Sequence, residues 1–228
     1  MIRVIRNAWL IAAKDLRVET RSRELVYTTV FFAVTAVLIF AFSFVQEDST
    51  VPPGAASGIL WVTLTFSGTI ALTRTFERER EHDTLRGLLL SPVERPAVYL
   101  GKLMAVLMLL AGVEIVLLPL TALFFQAPLF RTPGMMFAIL ATGTLGFASV
   151  GTLFAAMLVR ARSRDVLLPV VLFPIVVPVI IAGVRGTNAL FLPEPDMAIA
   201  QMWLAMLVSF DAVFLSLALW TCGPLLGE

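Results

Sequence analysis

One cysteine and one histidine stand among 228 residues. Cys222 alone excludes an internal disulfide framework and any paired-cysteine redox or zinc motif. His82 alone leaves no His/Cys set from which a metal centre could be built inside a membrane. Charge is scarce as well, at 14% of residues, against roughly 25% in an ordinary soluble domain. The net charge of +1 argues against a nucleic-acid footprint. No phosphate loop is present, because Gly101-Lys102 has neither the upstream glycine nor a following Ser or Thr. H-E-x-x-H and G-x-S-x-G are missing too. The chain is therefore not expected to be a catalyst in its own right. A cleaved leader is also not expected: the first apolar run breaks at Lys14-Asp15, and no small-residue cleavage site follows.

What fills the sequence is oil. Apolar residues make up 59% and the mean hydropathy is +0.92, more than a globular core of this length needs. Because lipid leaves unpaired backbone groups unsatisfied, the expected class is an all-α polytopic membrane protein. Apolar runs place six spans at about 27–45, 55–73, 103–125, 135–159, 166–184 and 198–221, within one transmembrane domain over 1–228. The first of these, 19 residues of helix, is about 28 Å long. Turn residues separate them at Val51-Pro52-Pro53-Gly54, Pro133-Gly134 and Pro193-Glu194-Pro195-Asp196. Residues 1–25 read as a helix lying on the membrane. Ile5, Trp9, Ala12, Ala13 and Leu16 share one face, and Arg3, Arg6, Lys14, Arg17 and Arg21 fill the rest.

Basic residues set the orientation. The N-terminal tail has six Lys or Arg, the 74–102 segment six and the 160–165 segment three, while the other three connections hold none, Arg131 and Arg185. Positive charge stays on the cytoplasmic side. Both termini and the 74–102 loop are therefore expected in the cytoplasm.

That loop is the one long polar island. It alternates acid and base from Glu77 to Asp83, and Leu85, Leu88 and Leu89 then form the apolar face of a short helix that Ser91-Pro92 stops. Such a helix between two spans suits a groove on a soluble partner. A merely solvated loop is the alternative.

Within the spans a few residues stand out. Glu114 and Asp211 lie near midspan, where a charge is expensive, so each should face protein or water. They fit a proton or ion path, or structural hydrogen bonds between helices. Pro169, Pro174 and Pro178 interrupt the fifth span, which reads as a kinked helix packed inside the bundle, either a hinge or a packing kink. Gly143, Gly146, Ala148, Ser149 and Gly151 would let the fourth span approach its neighbours closely. Residues 188–197 leave room for a re-entrant element.

The run Glu79-Arg80-Glu81-His82-Asp83-Thr84-Leu85-Arg86-Gly87-Leu88-Leu89-Leu90-Ser91-Pro92, followed by Gly101-Lys102, resembles the cytoplasmic coupling loop of type-2 ABC exporter permeases. Two positions depart from that pattern, Asp83 where glycine is usual and Arg86 where an acid is common. Gly58-Ile59-Leu60-Trp61-Val62, the proline-spaced Leu167 to Pro178 and Phe210-Asp211-Ala212-Val213-Phe214 are similar to the B-subunit family of the haem exporters of cytochrome c maturation. This resemblance implies a permease subunit in the inner membrane that forms a homodimer on two cytoplasmic ABC ATPase subunits. A haem-handling membrane subunit, a small single-span subunit and a periplasmic haem chaperone would complete the assembly. It implies that Glu77, Glu79, Glu81, Asp83, Leu85, Arg86, Leu88 and Leu89 couple to the ATPase. ATP would be used by the partner and haem handled by the complex. Met104, Met108 and Met206 have the chemistry to ligate iron, but methionine at helical spacing reads as core filler. No directly bound cofactor is expected.

Overall fold

The computed structural model describes residues 2–44, 54–81, 94–159, 161 and 164–225. Among these the chain is all helix: α1 Ile2–Ser22, α2 Glu24–Phe44, α3 Ala55–Glu81, α4 Arg95–Phe125, α5 Pro133–Met157, α6 Arg164–Phe191 and α7 Met197–Leu225. Six of them, α2 to α7, are long and apolar enough to cross a bilayer. The chain is a multi-pass membrane protein.

Local chemistry sets several helix ends. Pro96 and Pro133 sit in the first turns of α4 and α5, where a missing N–H costs nothing. Gln126 closes α4 in the left-handed conformation. Asp196 opens α7, its Oδ1 accepting from the Ile199 N–H at 3.0 Å. Between α1 and α2 the helical path breaks at one residue, Arg23, with φ of +57°. Three helices prove longer than their apolar runs. α3 stays helical through the charged alternation to Glu81, and α4 begins at Arg95, so much of the expected 74–102 loop is helix. α6 likewise continues to Phe191, leaving 192–196 as a turn into α7 rather than a re-entrant element.

The interior belongs to α3 and α5, whose apolar windows are 72% and 67% buried, against 33% for α6 and 17% for α7. This corrects the placement of the proline-rich span. α6 remains an α-helix through Pro169, Pro174 and Pro178, and it lies on the perimeter with Pro174 turned outward.

Lipid supplies no hydrophobic drive between helices, so close packing must do the work. The α3–α5 seam achieves it with large side chains set over glycines. Trp61 lies over Gly143, Phe147 over Gly68, and Leu72 over Gly151, leaving no room for a Cβ at any of the three. Outward positions carry Phe31, Phe42, Ile115, Leu123, Phe137 and Trp220, as lipid-facing positions should.

Candidate functional site

One end of the bundle is built from the two helices that flank residues 82–93. Glu77, Glu79 and Glu81 fall in the last two turns of α3. Asp83, Leu85, Arg86, Leu88 and Leu89 lie outside the described residues. On the return side α4 is firmly seated within two turns of its start. Ala97, Val98 and Tyr99 are buried, and the Tyr99 hydroxyl donates to the Ser149 carbonyl on α5 at 3.0 Å.

Gly101-Lys102 has a definite structural role here. At Gly101 a Cβ would stand 2.8 Å from Ile11 Cβ and 2.9 Å from the Ala8 carbonyl oxygen, so glycine is what lets α1 lie against α4. One residue on, the Lys102 ammonium meets Asp15 Oδ2 at 2.6 Å, with the Lys102 side chain only 3% exposed. Lys14 Nζ contacts the other Asp15 oxygen at 3.0 Å. Ala8, Ile11 and Ala12 supply the apolar part of this contact. Of the five residues expected on one apolar face, Ala12 thus turns to protein, Ile5 and Trp9 are exposed, and Ala13 and Leu16 are half-buried. At the far end of α1, buried Glu19 accepts from the N–H groups of Leu25 at 2.9 Å and Val26 at 3.2 Å. A carboxylate there satisfies donors that the first turn of α2 leaves free. Sequence reasoning missed Asp15, Glu19 and Tyr99. Only the break Lys14-Asp15 in an apolar run hinted at the first.

Near midspan, Glu114 on α4 accepts a hydrogen bond from the Thr144 hydroxyl on α5. Asp211 on α7 is buried against Gly146, where a Cβ would stand 2.7 Å from Oδ1. That oxygen has no hydrogen-bond partner among the described residues. Thr144 and Gly146 are two positions apart, so they face about 200° from each other around α5. The two carboxylates therefore occupy opposite sides of one helix and are not brought together. A cavity of about 10 Å³ among Trp61, Thr65, Leu110, Thr144, Phe147 and Val179 has room for one water at most. Trp61, at its edge, donates its indole N–H to Thr187 Oγ1 on α6 at 3.0 Å. Among the described residues no His, Cys, Asp and Glu group has a metal-holding arrangement.

A profile of the CcmB protein family matches residues 6–224, which takes in α2 to α6, most of α7 and nearly all of α1. The chain belongs to the CcmB family. Similar members include heme exporter protein B of Pseudomonas aeruginosa, 27% identical over 88% of both chains. Heme exporter protein B of Rhodobacter capsulatus is 28% identical over 90% of this chain and 91% of its own. The Escherichia coli K12 protein of the same name is 32% identical over a shorter stretch, 42% of this chain and 44% of its own. Family membership thus spans the N-terminal helix, the 82–93 segment and all six spans together.

Proposed function

We propose that this chain is the permease subunit of an ATP-driven haem exporter serving cytochrome c maturation. It makes no force of its own and receives it through residues 77–89. What carries this reading is the family match over 6–224, joined to relatives named heme exporter protein B that align over most of their length. In this reading a cytoplasmic ABC ATPase dimer grips the segment between α3 and α4. Leu85, Leu88 and Leu89 fill its groove, Glu81, Asp83 and Arg86 line a polar rim, and Glu77 and Glu79 belong to the same coupling segment. The chain pairs with a second copy in the inner membrane with both termini in the cytoplasm, as its basic residues favour. A haem-handling subunit, a single-span subunit and a periplasmic haem chaperone complete the assembly. No haem ligand is assigned to this chain.

Mild detergent extraction of the tagged protein, followed by mass spectrometry of everything retained, tests the assignment. Recovery of an ABC ATPase together with a haem-containing membrane protein is the expected result. Recovery of an ATPase with lipid-, polysaccharide- or drug-export components would overturn the haem assignment. Transport driven by an ion gradient without any ATPase would overturn the whole reading.

A further inference from the structure

Force received through residues 77–89 does not by itself account for how firmly α1 is held. A surface helix that only anchors a chain needs apolar residues toward lipid and basic residues toward headgroups, and Ile5, Trp9, Arg6 and Arg17 already provide these on exposed faces. Yet α1 turns a third face to protein, and nearly all of its packing is with α4 rather than with α2, which follows it in the chain. That face joins small residues to two acids. Ala8, Ile11 and Ala12 accept the glycine surface at 101, Asp15 holds buried Lys102, and buried Glu19 caps α2.

The link to α2 is short and stiff in its own way. One residue, Arg23, separates the helices, its N–H donating to the Glu19 carbonyl at 2.7 Å and its carbonyl accepting from the Tyr27 N–H at 3.0 Å. α1 therefore touches the first turns of both α4 and α2. Direct packing also joins α2 and α4, but at the cytoplasmic end Asp15, Glu19 and Lys102 form the polar connection.

We infer that α1 is a strut: it carries displacement of the cytoplasmic end of α4 to the start of α2, through Asp15–Lys102 at one joint and the Glu19 cap at the other. Asp15, Glu19 and Lys102 are positioning residues for the transport cycle. They touch neither nucleotide nor cargo. A buried ion pair suits a joint better than a greasy contact, because it fixes one register between the helices and resists sliding. The inference rests on the proposal that residues 82–93 receive force from an ATPase, since that force enters α4 a few residues before Lys102.

Two reporters separate the strut from that proposal. In a Cys222→Ala background, Thr28→Cys marks the exposed side of the first turns of α2, and Glu94→Cys marks the exposed start of α4. Both are followed by thiol labelling in membrane vesicles that contain the whole transporter, with and without ATP. Labelling at both sites is expected to shift with ATP. In Lys102→Met the shift should persist at Glu94→Cys and be lost at Thr28→Cys, and the charge swap Asp15→Lys with Lys102→Asp should restore it. Persistence at Thr28→Cys in the Lys102→Met chain would overturn the strut while leaving ATP coupling intact. Failure of the charge swap, in a chain that still assembles, would also count against it. If neither site responds in the parent while ATP is hydrolysed, the coupling proposal and the strut fail together.

Discussion

Trp61 and Gly183 meet with nothing between them: a Cβ at 183 would stand 2.6 Å from the indole Cδ2. Gly143 lies against the same ring from α5. One side chain thus occupies the junction of α3, α5 and α6.

A methyl added at that junction has nowhere to go. Gly183→Ala and Gly143→Ala are each expected to cost about 1–3 kcal/mol through overpacking. Gly112→Ala meets nothing within 4 Å and should not destabilise the fold. Thermal unfolding of the three variants in one detergent checks the contrast.

The bond from Trp61 to Thr187 is separable from the packing. Trp61→Phe keeps a large ring and should lose about 1 kcal/mol, whereas Trp61→Ala should lose about 3–5 kcal/mol. A double-mutant cycle with Thr187→Val reads the bond itself. The second substitution should add little once the indole is gone.

At the α1–α4 contact, Gly101→Val would drive a branched side chain into the Ala8 carbonyl, which is backbone and has little freedom to move aside. α1 should come away from α4 while the six spans persist. Limited proteolysis should then cut near Arg17, Arg21 and Arg23 faster than in the parent.

The midspan acids test the ion-path alternative. Gln at 114 can still accept from Thr144, and Asp211 forms no ion pair among the described residues. Glu114→Gln and Asp211→Asn are therefore expected to retain cytochrome c maturation in cells. Loss of maturation in both, with normal protein levels, would favour a proton or ion route.

Glu81→Lys combined with Asp83→Lys reverses two acids on the proposed rim. Co-purification of the ATPase should fall sharply, and more so at low salt, where unlike charges are least screened. Unchanged recovery would remove these residues from the docking surface.

Much of the architecture was legible because lipid imposes simple rules. Six spans follow from long apolar runs, and the helical class follows from the need to pair every backbone group. Depth within the bundle was harder to read. The prolines of α6 suggested an interior helix, yet the central helices are α3 and α5, with the lowest mean hydropathies of the six, 1.5 and 1.7. The reason is physical: a helix shielded by others over most of its surface can carry Thr, Ser and Gly, whereas one facing lipid must be oily. Buried Ser57, Thr63, Thr65, Ser67 and Thr69 on α3 were that signal. The small residues of α5 were legible as a close-contact surface, but their partners were not. Nor could local pattern reveal Asp15 with Lys102, since 87 positions separate them. Asp83, Leu85, Arg86, Leu88 and Leu89, expected to couple to an ATPase, lie outside the described residues.

The length of α3 has a consequence for whatever docks beneath it. Its 27 residues make a rod of about 40 Å, against a hydrocarbon slab of about 30 Å. If the proposed ATPase docks there, the surplus is a spacer that sets how far it hangs below the headgroups. Trimming one helical turn from residues 74–81 would then draw the proposed partner inward by about 5 Å and rotate its grip, so clearance and phase would change together.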